Sequence, residues 1–157
     1  MDVKQFLREN GVEFSVGTHF PRYTAQEVAA ADHVSGREFA KVVIAKTDSR
    51  YVMVVLPATR MVDPAKLASV TGTKSARLAE EFEMRQLFPD SEVGAEVPFG
   101  NLYGLETLVD RQLALQDYIV FQSGTHRETI RIRFLDYERL ARPEIADVSM
   151  PADAVVR

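Results

Sequence analysis

A lysine inside an apolar segment is the residue of this sequence best suited to chemistry. Lys41 lies within Phe-Ala-Lys-Val-Val-Ile-Ala-Lys, where strand alternation puts it on one face with Phe39, Val43 and Ala45. A lysine at the edge or end of a strand can extend to solvent and discourage aggregation. Alternatively, a partly desolvated ammonium at the mouth of a pocket could orient a carbonyl or stabilise developing negative charge. The spacing leaves both interpretations open.

Three loops carry groups that could bind a ligand. Segment 94–100, Gly-Ala-Glu-Val-Pro-Phe-Gly, has glycines at both ends and a central proline, which predicts a defined loop with accessible backbone amides. Segment 123–126, Ser-Gly-Thr-His, fits a hairpin turn, where glycine is expected structurally and a lone histidine is more often a surface residue than a catalyst. Segment 19–24, His-Phe-Pro-Arg-Tyr-Thr, could cap a helix or form a lip over a ligand. Each loop also has an ordinary structural explanation.

Hydrophobic patterning predicts the elements that position these residues. Two β-branched and aliphatic runs, 39–47 and 51–56, indicate a hairpin with a three-residue turn. Further strands are expected at 107–110, 118–122 and 127–134. Helical spacing and capping residues predict helices near the N-terminus, after Asp63-Pro64, across 75–88 and over 136–141. Hairpins with segregated helices predict an α+β fold with a mixed, mostly antiparallel sheet.

Composition limits the classes of protein and of site. The 157 residues carry no internal repeat or Pro/Gly/Ser linker, so we expect a single domain over 1–157. The absence of cysteine excludes disulfides, thiolate nucleophiles and zinc-thiolate sites. With 19 basic and 23 acidic residues the net charge is −4, so binding to a nucleic acid requires a local basic patch.

Several common catalytic motifs are missing from the sequence. It contains no GxGxxG, Walker A, HExxH or GxSxG motif, and its three histidines lack metal-ligand spacing. The longest apolar run, 51–58, is far shorter than the roughly 20 residues that span a bilayer, and the N-terminus lacks a signal-peptide pattern. We therefore expect a cytoplasmic protein without a metal site or a membrane partner.

In combination and in this order, the segments resemble the YbaK/EbsC family, the aminoacyl-tRNA editing domain that also occurs inserted in bacterial prolyl-tRNA synthetases. The resemblance covers roughly residues 6–140. Its matching pieces are His19-x-Pro21 with Tyr23-Thr24, Phe39-Ala40-Lys41-Val42-Val43, Gly94-x-x-x-Pro98-Phe99-Gly100, Val109-Asp110, and Ser123-Gly124. It implies a single editing domain whose curved, barrel-like mixed sheet is surrounded by helices.

The resemblance also implies an activity, which is hydrolysis of the ester between a mischarged amino acid and the 3′-terminal adenosine of tRNA, with no metal or organic cofactor. Asp110 and segment 101–104 are more similar to the freestanding branches, which implies trans-editing of a small amino acid, with tRNA for proline as the best-known case. Lys41 would be the central catalytic residue. The substrate-binding residues carried over are Tyr23, Thr24, Gly94, Ala95, Pro98, Phe99, Gly100, Ser123, Gly124 and His126, the last at a position that varies in the family.

The implied partner is the acceptor end of a mischarged tRNA, with an aminoacyl-tRNA synthetase as a second potential partner. The basic residues considered for RNA contacts are Arg22, Arg37, Lys74, Arg77 and Arg127. A competing hypothesis is a non-catalytic module of the same fold that binds an aminoacyl-like ligand or a synthetase. The net charge and the lack of a helix-turn-helix or basic helix argue against binding to DNA.

Overall fold

The computed structural model of the chain describes residues 2–18 and 35–152. Those residues contain four α-helices: α1 (Val3–Glu9), α2 (Pro64–Thr71), α3 (Glu81–Leu87) and α4 (Phe134–Ala141). Two short 3₁₀ segments lie at Gly100–Tyr103 and Leu113–Leu115. The strands are β1 (Ser15–Thr18), β2 (Ala40–Thr47), β3 (Arg50–Pro57), β4 (Arg60–Val62), β5 (Ala76–Leu78), β6 (Glu106–Asp110), β7 (Tyr118–Gln122), β8 (Glu128–Arg133), β9 (Glu144–Ala146) and β10 (Ser149–Pro151).

The described strands form three sheets. One has five strands in the order β5-β2-β3-β6-β9, another has three in the order β1-β8-β7, and the pair β10-β4 is separate. The β3-β6 and β6-β9 pairs are parallel, and the remaining strand pairs of these sheets are antiparallel. The predicted α+β class with a mixed, mostly antiparallel arrangement is confirmed, while the curved, barrel-like shape stays a prediction.

The two faces of the β2-β3 hairpin pack into different apolar clusters. Ala40, Val42 and Ile44 belong to the larger cluster, which includes Phe99 and Phe121. Val43 and Ala45 lie on the opposite face, in the smaller cluster with Leu56, Leu67 and Leu108. Because side chains alternate along a strand, Lys41 occupies the face of the smaller cluster, near the N-terminal end of β2.

Several predicted elements are confirmed. The hairpin runs in register from Ala40 opposite Pro57 to Thr47 opposite Arg50. Its turn has two residues, Asp48 and Ser49, and not the three expected, because Arg50 already pairs with Thr47. Asp63 accepts hydrogen bonds from the N–H groups of Ala65 and Lys66 and so caps α2, as its position before a proline predicts.

The prediction of one helix across 75–88 is wrong in its first half. Residues 76–78 form β5, which pairs antiparallel with the end of β2 through Ala45 and Leu78. Pairing with β2 satisfies backbone groups that would otherwise be exposed at a sheet edge, which outweighs the helical propensity of this short stretch. The helix begins only at Glu81.

No helix in residues 2–18 and 35–152 is long and apolar enough to cross a membrane.

Candidate active site

Lys41 is the second residue of β2, and its ammonium has no hydrogen-bond or ion-pair partner in the part of the chain that the structure describes. The residue is partly buried, and burial lowers the pKa of Lys41 because the charged form is incompletely solvated. An ammonium in this environment can interact with negative charge that a ligand brings. The structure therefore favours a partly desolvated cation over a lysine extended into solvent.

A parallel bridge between Phe39 and Val120 brings the start of β2 beside β7. The N–H of Val120 donates to the carbonyl of Glu38 at 3.0 Å and fixes this approach. The bridge is isolated, and Lys41 lies two residues after it on β2. The start of β2 therefore lies next to β7, the strand that ends at Gln122.

Gly94 begins the loop that reaches the end of β7. It is exposed and has a φ of +90°, a left-handed conformation that favours glycine. Its N–H donates to Glu96 Oε2 at 2.9 Å and to Oε1 at 3.2 Å, while its carbonyl accepts from Gln122 Nε2 at 3.2 Å. Both polar groups of the Gly94 backbone are therefore used inside the protein.

Backbone hydrogen bonds join this loop to the β7-β8 turn. The carbonyl of Ala95 accepts from the N–H of Gly124 at 2.9 Å, and the carbonyl of Gly124 accepts from the N–H of Glu92 at 2.9 Å. The N–H of Ala95 donates to the carbonyl of Glu92 at 3.0 Å. The sequence predicted an association of these two loops only through the family resemblance.

The backbone donors available to a ligand lie further along the loop than expected. Because the N–H groups of Gly94 and Ala95 are engaged, neither is accessible in this structure. The N–H groups of Val97, Phe99 and Gly100, by contrast, find no acceptor among residues 2–18 and 35–152. Buried N–H groups are rarely left without a partner, so these three are the candidate donors to a ligand.

Pro98 and Phe99 anchor the loop in the core. Pro98 is buried, and the Phe99 ring is completely buried in edge and tilted contacts with Phe6, Phe121 and Tyr137 at centroid distances of 5.4, 5.7 and 5.4 Å. A contact of Phe99 with a ligand would consequently come from its backbone. Gly100 is also buried, and a Cβ there would collide with Thr107, which requires glycine at this position.

His126 is a buried residue, 3% exposed, rather than the surface histidine that its turn position suggested. Nε2 lies 2.8 Å from the carbonyl of Val93, and Nδ1 lies 3.0 Å from Gln122 Oε1. Its backbone N–H donates to Glu92 Oε1 at 3.3 Å. The histidine is therefore part of the same hydrogen-bonded group as Gly94.

The hydroxyl of Ser123 faces an ion pair. It donates to Glu128 Oε1 at 2.8 Å, and the same carboxylate lies 3.0 Å from the ammonium of Lys4. Burial raises the pKa of Glu128, but the hydrogen bonds from Ser123 and Lys4 outweigh it, and the net shift is downward. In this structure Ser123 joins the β7-β8 turn to α1.

Asp110 has a structural position at the end of β6. Its completely buried carboxylate accepts from the N–H of Val148 at 3.2 Å and of Gln112 at 3.1 Å. It thereby satisfies backbone donors of two loops.

Two predicted substrate-binding residues, Tyr23 and Thr24, lie outside the described residues, as does Arg22. In the described ranges, no three histidine or acidic side chains are placed so as to hold a metal ion.

Sequence reasoning missed Glu96, Gln122 and Glu92. Glu96 had a detectable signal, since it is an acidic residue between the apolar residues Ala95 and Val97, and it is only 2% exposed. Gln122 ends an otherwise apolar strand, which is a weaker signal of the same kind.

Known proteins resemble this chain over most of its length. The sequence model of the aminoacyl-tRNA editing domain matches residues 19–140. A protein of Escherichia coli strain K12 named multifunctional Ser/Thr-tRNA deacylase ProXp-y is 27% identical over 146 residues, which cover 90% of this chain and 87% of that protein.

Solved structures have the same fold. The structure of hypothetical protein APE2540 superposes with a TM-score of 0.85 at 22% identity and covers 94% of this chain and 99% of its own. A candidate trans-editing enzyme for prolyl-tRNA synthetase gives a TM-score of 0.81 at 20% identity, with 94% of each chain covered. At these identities the likeness establishes the fold alone.

Proposed function

This chain belongs to the aminoacyl-tRNA editing domain family, and from that premise we propose that it is a freestanding deacylase acting in trans on tRNA mischarged with a small amino acid. Water is added across the ester, which yields the free amino acid and the 3′-terminal adenosine hydroxyl of tRNA. The whole chain, 1–157, would form a single editing domain acting in the cytoplasm, where charged tRNA is used.

The observation that carries the proposal is the partly buried ammonium of Lys41, which has no partner among the described residues. In the transition state of ester hydrolysis, negative charge develops on the carbonyl oxygen. Lys41 would contact the ester or the terminal adenosine and stabilise that charge. Either water attacks the ester directly, or a ribose hydroxyl attacks first and water then hydrolyses the transferred ester. A cation in a poorly solvated position interacts more strongly with such charge than it would in water.

The loop is proposed to orient the aminoacyl group. The N–H groups of Val97, Phe99 and Gly100, which have no acceptor within the described ranges, are donors suited to a carbonyl oxygen, and Phe99 holds them on a rigid core. Tyr23, Thr24, Ser123, Gly124 and His126 remain proposed neighbours of the substrate.

Discrimination between amino acids explains the need for such an enzyme. One methylene changes binding by only about 1–3 kcal/mol, so a synthetase admits small competitors that a second site must remove. Alanine and cysteine on tRNA for proline are our first candidates. Serine and threonine follow, because the Escherichia coli relative is named as a Ser/Thr-tRNA deacylase.

The basic residues considered for tRNA divide into two groups. Lys74 and Arg77 lie near Thr47, at the end of β2 opposite to Lys41. Thr47 is six residues beyond Lys41 on the same strand, which separates these two positions by about 20 Å. Arg77 is also paired with the buried carboxylate of Glu83 at 2.8 Å. Arg127, in the turn that contains His126, and Arg37 are thus the better candidates.

Arg37 borders a cavity of about 350 Å³ that is also lined by Thr59, Arg60 and Gln112. Neither Lys41 nor the 94–100 loop lines this cavity. We therefore assign it no part in the hydrolysis.

A deacylation screen tests the proposal. Purified protein is mixed with tRNAs charged with alanine, cysteine, serine or threonine, and loss of the labelled aminoacyl ester is followed over time. Faster loss than in buffer for at least one mischarged tRNA is expected. Tight binding of these tRNAs without turnover would instead assign the non-catalytic module.

A further inference from the structure

The Gly94 backbone is held from both sides by side chains that are distant from each other in sequence. Glu96 accepts the Gly94 N–H through both carboxylate oxygens, at 2.9 and 3.2 Å. Gln122, at the end of β7, donates its amide to the Gly94 carbonyl at 3.2 Å. Glu96 and Gln122 are 2% and 5% exposed, so water competes little for these hydrogen bonds.

The hydrogen-bond partners fix the orientation of the Gln122 amide. Only a nitrogen can donate to the Gly94 carbonyl, so the Gln122 oxygen must face His126 Nδ1, 3.0 Å away. The other ring nitrogen faces the Val93 carbonyl at 2.8 Å. Both ring nitrogens of His126 therefore face oxygen atoms of the protein.

Glu96 lies close enough to His126 for the two charges to interact. Burial raises the pKa of Glu96, while the backbone N–H groups of Gly94 and Glu96 and the charge of His126 oppose that rise. Glu92 is a second acid beside the histidine, since it accepts the His126 N–H at 3.3 Å. Two carboxylates thus lie close to His126, and one of them is hydrogen-bonded to its backbone.

A glycine that is exposed and has a φ of +90° can change its peptide orientation easily unless other groups hold it. Reorienting the Gly94 peptide would move the chain that leads to Val97, Phe99 and Gly100. Misplacement of a reacting group by 1 Å can reduce the rate about 10²-fold. The orientation of the two peptide groups that flank Gly94 is therefore important for every donor further along the loop.

We propose that Glu96, Gln122 and His126 form a clamp on the two peptide groups that flank Gly94 and act as positioning residues for the substrate-binding loop. This inference rests on the proposed deacylase function. It gives His126 a role through Gln122 and the loop, rather than through direct proton transfer, because both ring nitrogens are engaged.

Steady-state deacylation by conservative variants tests the clamp. Gln122→Glu keeps the shape but replaces the donor to the Gly94 carbonyl with an oxygen, and we expect kcat to fall 10- to 100-fold with KM changed less than threefold. Glu96→Ala should behave likewise, whereas Glu96→Gln retains an acceptor for the Gly94 N–H and should recover most of the activity. Ser149→Ala is the matched control, because Ser149 is completely buried and hydrogen-bonded to Arg60 away from the loop.

Amide hydrogen exchange of Gly94 gives a readout that does not depend on activity. In the wild type this exposed residue should exchange at least tenfold more slowly than an unstructured glycine, and Glu96→Ala should remove the protection while Ser149→Ala keeps it. Unprotected Gly94 in the wild type, or normal kcat for Gln122→Glu in an active preparation, would overturn the clamp. Protected Gly94 in a wild type that hydrolyses none of the tRNAs would overturn the proposed function but keep the clamp.

Discussion

At the scale of single residues, the site contains one cation that has no partner in the described part of the chain. It also contains several polar groups that are hydrogen-bonded within the protein. Lys41 is partly buried and no partner in that part of the chain offsets the cost of burial, while hydrogen bonds of 3.2 and 3.0 Å join Gln122 to Gly94 and to His126. The sequence indicated Lys41 because a charge in an apolar strand is visible in the alternation. It could not indicate the Glu96 and Gln122 contacts, since these depend on how loops distant in sequence meet.

The conformation of Gly94 can be tested against a second glycine. Gly94→Ala should lose about 1 kcal/mol of folding free energy, because an L-residue is disfavoured at positive φ. It should also lower kcat, since the new Cβ would lie 3.4 Å from His126 Cε1. Unfolding in urea and deacylation kinetics measure the two effects.

Gly11 provides the matched control. It has a φ of +69°, and a Cβ added there would meet nothing within 4 Å among the described residues, so Gly11→Ala carries the same conformational cost without touching the loop. Equal activity in the two variants would show that the Gly94 loop has no part in turnover.

At the scale of elements, the length of a strand decided whether hydrophobic patterning could predict it. Long, strongly patterned strands such as β2 and β3 were predicted, because their apolar runs have few alternative structures. The three-residue strands β4, β9 and β10 were not predicted, because three residues are too few to show an alternation of apolar and polar side chains. β5 was mistaken for helix because its formation depends on pairing with β2.

An ion pair between the half-exposed Arg77 and the buried Glu83 holds β5 and α3 to the hairpin. The guanidinium of Arg77 contributes most to lowering the pKa of Glu83 to about 2, followed by the Glu80 N–H and the Tyr51 hydroxyl. Because the folded pKa is below the ordinary value of 4.5, the stabilisation is complete above pH 4.5 and is lost as the pH falls toward about 2. Glu83→Gln should therefore be less stable at pH 7 and should lose less stability between pH 4.5 and 2.

Thermal unfolding across this pH range measures the effect. Glu81→Gln is the control, because Glu81 lies in the same helix with a side chain that is 63% exposed. If Glu83→Gln and wild type lose stability in parallel below pH 4.5, the Arg77-Glu83 pair does not stabilise the fold.

At the scale of the whole molecule, the proposed site requires β2, the 94–100 loop and the β7-β8 turn to lie together. Backbone hydrogen bonds join the loop to the turn. The resemblance to a family predicted that both contribute to one site, whereas composition and periodicity alone could not. The net charge of −4 adds a further expectation, that tRNA binds through a few local contacts rather than a general positive field.

Charge reversal at two places tests the location of the tRNA. Arg127→Glu should raise KM with little change in kcat, because a charge at the rim acts mainly on encounter and ground-state binding. It should also lower the slope of log KM against log salt by about 1, as expected for the loss of one phosphate contact. Lys74→Glu, at the far end of β2, is the control. A larger effect from Lys74→Glu would place the tRNA at the opposite end of the sheet.

The central claim is that the Lys41 ammonium stabilises charge during ester hydrolysis, and a comparison of two lysines in one strand tests it most directly. Lys46 lies five residues further along β2, with its ammonium 5.2 Å from the Tyr51 ring. On a mischarged tRNA that the wild type hydrolyses, Lys41→Met should lower kcat about 10²- to 10³-fold. Its melting temperature should be equal or higher, because a poorly solvated charge is removed. Lys46→Met should retain normal turnover. Near-normal turnover by Lys41→Met on the same tRNA would contradict the account.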